Sequence, residues 1–91
     1  MNANLPQILG VAIVYKGQMF ALPKPYRHHN VIRFMWEFCH IRPVVGEMQG
    51  FYDDKGRFLT REEAYKLAKM NGQLVSKTEH GLHKLFSEDI W

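Results

Sequence analysis

A single cysteine, Cys39, leaves this 91-residue chain unable to close an internal disulfide. That usage fits a reducing compartment. Long hydrophobic runs are missing as well. The opening stretch MNANLPQILGVAIVY has no basic start, and Pro6 and Gly10 interrupt it. It therefore reads neither as a secretory signal nor as a membrane span. No run of five like charges occurs, and no Arg/Gly-rich tail is present. The net charge of +3, with a pI near 9.2, is mild. It could draw a phosphate-bearing partner, but it argues against nucleic acid as the target. With no repeat or low-complexity linker either, residues 1–91 are read as one domain.

What the chain does have is rings. Aromatic residues make up 13% of it, enough for a few large side chains to fill a small core without disulfides. The stretch ILGVAIVYKGQMFAL predicts two strands, about 8–15 and 18–22, closed by Lys16-Gly17. Pro23 and Pro25, lacking a backbone donor, end that ladder. A helix over about 27–39 follows, with Val31, Ile32, Met35, Phe38 and Cys39 inward and Asn30, Arg33 and Glu37 outward. Pro43 is placed to stop it. VVGEMQGFYDDKGRFLT predicts a second hairpin, strands about 47–52 and 57–59, turning at Asp53-Asp54-Lys55-Gly56. In TREEAYKLAKMNG, Thr60 and Glu63 form a capping box. Ala64, Leu67, Ala68 and Asn71 share one face of that helix, and Gly72 ends it. The tail LHKLFSEDIW offers Leu82, Leu85, Phe86, Ile90 and Trp91 for packing. The expectation is an α+β fold, ββαββα, in which two β-hairpins form a small antiparallel sheet with two helices.

The segment PKPYRHHNVIRFMWEF crowds cations around a helix start. Such an end exposes unpaired amides and a partial positive charge, so Lys24, Arg27, His28 and His29 oppose the dipole there unless an anion joins them. Arg27, His28, His29 and Arg33 are accordingly candidate ligand-binding residues, the arginines for their planar fork of donors. The helical projection separates the histidines. His29 lies over Arg33 on the wet side, whereas His28 lies with Ile32 and Met35. His28 is thus open to two readings, a ligand group or a buried ring bonded to a backbone carbonyl. The second hairpin adds Gln49, Tyr52, Arg57 and Arg61, with Tyr52 or Phe51 able to stack on a base. Of these, Tyr52 and Arg57 join the candidate set. The simpler account gives Gly56 to the turn and pairs Arg57 with Asp53 or Asp54.

Chemistry is poorly supplied. His80 and His83 with Glu79 are too few for a metal centre, so no metal and no cofactor are expected. Cys39 falls on the apolar side of its helix, where a thiol is packing. Ser76 and Ser87 lack a nucleophile-elbow context, and Glu79, Glu88 and Asp89 have nothing to fix their separation. No enzyme is expected.

The stretches LPKPYRHHNVI, GEMQGFYDDKGRFLTREEAYKLAKMNGQL and LFSEDIW together resemble a group of small proteins common in phage and prophage genomes. The resemblance implies a phage origin and a host-cell cytoplasmic setting. It carries no catalytic residue over. Small phage proteins of this sort often counter host defences, including by sequestering nucleotide signals. The leading expectation is a non-enzymatic binding protein that captures a small anionic, nucleotide-like molecule. So small a domain encloses a ligand with difficulty, which points to a homo-oligomer. The alternative is a protein-interaction module that inhibits a host factor through exposed aromatics such as Trp36 and Phe20.

Overall fold

Lys16 and Gly17 both take positive φ, 49° and 80°, the pattern of a type I′ turn, whose twist matches that of paired strands. It closes β1 (Ile8–Tyr15) onto β2 (Gln18–Pro23). The computed structural model describes residues 5–42, 48–74 and 90–91. Pro43, Ser76, Glu79, His80, Leu82, His83, Leu85, Phe86, Ser87, Glu88 and Asp89, named above, lie outside them. After β2 come α1 (His28–Cys39), β3 (Gln49–Asp53), β4 (Phe58–Thr60) and α2 (Arg61–Asn71). The order is the anticipated ββαββα, with the second hairpin's strands starting one or two residues later than the sequence suggested.

The two hairpins join through β1 and β3, giving one antiparallel sheet in the order β2-β1-β3-β4. Val11 stands opposite both Leu22 and Phe51, and Phe51 opposite Leu59. Alternation then sends Val11, Ile13, Phe20, Leu22, Phe51 and Leu59 to one face. α1 packs there against β1 and β2, and α2 against β3, β4 and β1. The core between sheet and helices holds Ile8, Val11, Ile13, Val31, Met35, Phe51, Ala64, Tyr65, Ala68 and Ile90. Among the described residues no helix is long and apolar enough to cross a membrane.

The capping box of α2 forms as the sequence requires. Glu63 N–H donates to Thr60 Oγ1 at 3.1 Å and Thr60 N–H to Glu63 Oε1 at 2.9 Å, while Gly72 ends the helix at φ 81°. The start of α1 is held differently: Asn30 Oδ1 accepts from the Arg27 amide at 2.9 Å. Its end turns through His40, a non-glycine residue at φ 57°. The amides of His40 and Ile41 reach back to the Trp36 and Met35 carbonyls at 3.2 and 3.0 Å. Both bonds satisfy carbonyls the helix leaves open.

In α2 the expected face packs inward, Ala64 and Ala68 buried and Leu67 partly buried against the core, and Tyr65 joins it. One face assignment needs correction. Phe38, expected inward, is 71% exposed. It sits in the last turn of α1 with its ring against Phe34, itself 41% exposed, rather than in the core.

Two side-chain amides tie α2 back to β1. Gln73 Oε1 accepts from the Ile8 amide at 2.7 Å and Gln73 Nε2 donates to the Ile8 carbonyl at 3.0 Å. Gln73 thus imitates a strand where the β1–β3 register shifts, between Ile8 and Gly10. Asn71 Nδ2 donates to Pro6 O at 3.0 Å.

On the sheet face away from the helices, aromatic rings lie over glycines. A Cβ on Gly50 would meet the Leu59 carbonyl and come within 2.6 Å of the Phe58 ring. Backbone on one side and a ring on the other leave it no room. Gly50→Ala is expected to cost about 2 kcal/mol or more, read as a lower urea midpoint at unchanged m-value. An unchanged midpoint would show that the β3–β4 pairing is looser than described.

Candidate functional site

The first turn of α1 is where the sequence gathers its cations, and the chain itself meets two of them. The Arg27 guanidinium donates to the backbone oxygen of Trp91. Trp91 Nε1 in turn donates to Tyr26 O at 2.9 Å, and its ring meets Phe51 edge-on at 6.1 Å. His28 is 8% exposed. Its Nε2 lies 2.6 Å from Gly50 O, in the buried interior. A carbonyl only accepts, so Nε2 carries the proton. The imidazole also stands edge-on to Phe51 at 5.1 Å. Of the two readings of His28, this is the carbonyl-bonded ring.

His29, one residue on, points to solvent. Arg33 is exposed too, and its Nε donates to Glu37 Oε1 at 2.9 Å one turn later. That hydrogen bond and the Glu37 charge push the guanidinium pKa up. Such an exposed pair adds little to stability, but it neutralises Arg33 on the spot.

Tyr52 and Arg57 lie elsewhere. Tyr52 alternates with Phe51 and so falls on the far face of the sheet, its ring beside Gly10. Arg57 sits at the β3–β4 turn, where Nε and a terminal guanidinium nitrogen both bond Asp53 Oδ2, at 3.0 and 2.9 Å. The six candidates are therefore not gathered at one mouth. Arg27 and His28 converge on the Phe51–Trp91 pair; His29 and Arg33 stand outside; Tyr52 and Arg57 belong to other surfaces.

Asp53 is the organising group of its turn. It is fully buried, and its Oδ1 accepts from the Lys55 and Arg57 amides at 3.0 and 2.9 Å. Burial by itself would raise the carboxyl pKa; the Arg57 and Lys55 amides and the Arg57 guanidinium outweigh it and hold the pKa below its ordinary value.

A surface that the inward stripe of α1 does not explain is aromatic. Phe34 and Phe38, one turn apart, stack at 5.3 Å and are 41% and 71% exposed. His28 leans toward β3, so these two rings, across the Val31–Met35 stripe from it, overhang β2. Trp36 lies on the His28 side, half-exposed, with the Arg42 guanidinium 4.3 Å above its ring. The signal was in the sequence: Phe34, Trp36 and Phe38 fall within five residues, more rings than one narrow face can bury. Phe20, by contrast, is half-buried against the core. Among the described residues no group of three or more His, Cys, Asp or Glu side chains could hold a metal ion.

A family model described as "Phage T4 y16D protein" matches residues 7–91. No curated protein and no solved structure matches the chain.

Replacing the charge at Asp53 tests the turn. Asp53→Asn keeps the shape but forfeits charge-assisted bonds and is expected to cost about 2–3 kcal/mol in urea unfolding. The pH dependence has a definite sign. With the folded pKa depressed, the carboxylate stabilises fully above its unfolded pKa of about 3.9, and that gain is lost as pH falls through the folded value. Wild type should lose more stability on acidification below about pH 4 than the asparagine variant does. Parallel pH profiles would contradict the assignment.

Proposed function

The chain belongs to the phage T4 y16D protein family, and from that premise we propose that it works by binding rather than by catalysis, docking onto a protein of the host cytoplasm through the aromatic and basic surface of α1. The observation that carries this reading is Trp36, half-exposed beneath the Arg42 guanidinium. Tryptophan and arginine are favoured anchors at protein interfaces, where a large ring supplies area and a guanidinium supplies directed donors. A ring left open to water beside a cation suits a partner that can cover both.

Charge supports the same surface. Residues 24–42 contain Lys24, Arg27, Arg33 and Arg42 against Glu37 alone, while the rest of the chain has eight basic and eight acidic residues. The whole net charge of +3 thus resides in α1 and its flanks. An acidic rim on the host protein would complement it, speeding encounter and excluding basic competitors. Inhibition of a host factor follows if the covered surface is one that factor needs.

Capture of a nucleotide-like anion makes heavier demands. Arg27 and His28 would have to leave Trp91 and Gly50, and Arg33 would have to leave Glu37. The docking reading leaves all of these bonds in place.

The test is a pull-down from host lysate with the tagged chain, followed by titration of the protein it retains. Trp36→Ala is expected to weaken that complex by about thirtyfold or more, with wild-type affinity falling as salt rises. Undiminished binding by Trp36→Ala would overturn the reading. So would a thermal shift with a cyclic dinucleotide that Arg27→Ala abolishes.

A further inference from the structure

β2 is the outer strand of the sheet, and apart from Pro23 at its last position it carries none of the usual devices that keep an edge from pairing. Between Gly17 and Pro23 the sequence is QMFAL, with neither charge nor proline. Its pairing with β1 runs without a register shift from Tyr15 opposite Gln18 to Gly10 opposite Pro23. The other edge is blunted: β4 has three residues and passes directly into α2.

The direction of the free backbone groups follows from the turn. A two-residue loop makes Tyr15 and Gln18 a hydrogen-bonded pair, so Gln18, Phe20 and Leu22 aim their amides and carbonyls at β1. Met19 and Ala21 aim theirs outward. Among the described residues, nothing pairs with them. Met19 is also 41% exposed at its side chain.

We propose that this edge pairs with β2 of a second copy of the chain, antiparallel, about a two-fold axis through Phe20. The register is self-complementary. Met19 of each copy falls opposite Ala21 of the other, and each such pair exchanges both of its backbone bonds. Phe20 meets its own counterpart in the non-hydrogen-bonded position, where Cα atoms approach to about 4.5 Å and aromatic pairs gain most. On the outer face a large side chain, Met19, meets a small one, Ala21. On the helix face Phe34 and Phe38 overhang the same edge, which gives their exposed rings a counterpart across the axis. An isologous contact of this kind closes on itself and does not propagate. The Trp36 surface lies on the other flank of α1 and stays open, so the inference does not rest on host docking.

Sedimentation equilibrium from about 1 to about 100 µM reads the association. The expected result is twice the 10.7 kDa chain mass. Ala21→Pro removes an outward donor and no bond to β1, so it should keep the far-UV spectrum and weaken the dimer by about a hundredfold. Should that variant lose its fold, Met19→Lys replaces it, adding a charge at an exposed position. Hydrogen exchange on the unaltered protein is the second arm: the Met19 and Ala21 amides should gain protection as concentration rises. A monomer throughout the range, a dimer indifferent to a folded edge variant, or amides already protected in the monomer would each overturn the proposal.

Discussion

His28 reaches from the first turn of α1 to the Gly50 carbonyl, 2.6 Å away and out of reach of water. An imidazole N–H buried without an acceptor is costly, so the bond resists exchange for a looser arrangement. It fixes the rotation of the helix. Successive residues turn by a constant angle, so placing His28 against Phe51 places every other side chain. Val31 and Met35 enter the core, His29 and Arg33 face water, Phe34 and Phe38 overhang β2, and Trp36 opens on the opposite flank. Trp91 locks the same turn from outside through Tyr26 and Arg27.

The two helices present unlike exteriors. α2 shows Glu62, Glu63, Lys66 and Lys69 to solvent, a charged surface balanced in sign. α1 shows rings, and its flanks carry the cationic excess. Away from α1, side chains also substitute for backbone partners: Asp53 at the β3–β4 turn and Gln73 at the start of β1. The outer surface of α1 takes no part in these contacts. The proposed association through β2 and the proposed docking through Trp36 use its two flanks separately.

Local chemistry was readable from the residues. Lys16-Gly17 could serve only as a tight turn, Thr60 and Glu63 as a reciprocal cap, and Gly72 as a left-handed stop; each depends on neighbours in the chain. The separation of His28 from His29 was also readable, because adjacent helical residues diverge by a fixed angle. What escaped depends on distant partners. The Gln73 clip spans 65 positions to Ile8, and no spacing rule links an amide to a strand it will imitate. Phe38 lies close to Val31 in projection, yet it is exposed and lies against Phe34; helical spacing names a face but not what the last turn finds beneath it. The cation cluster looked unified because its members are consecutive; the fold divides them among Trp91, Gly50, Glu37 and solvent.

The state of the His28 ring tests this account most directly. Long-range proton–nitrogen NMR on the histidine ring should find Nε2 protonated, its hydrogen slow to exchange, with a coupling across the bond to the Gly50 carbonyl carbon. A ring protonated only at Nδ1, or one whose Nε2 hydrogen exchanges freely with water, would mean that α1 is not anchored there, and the outward placement of its aromatic residues would lose its physical cause.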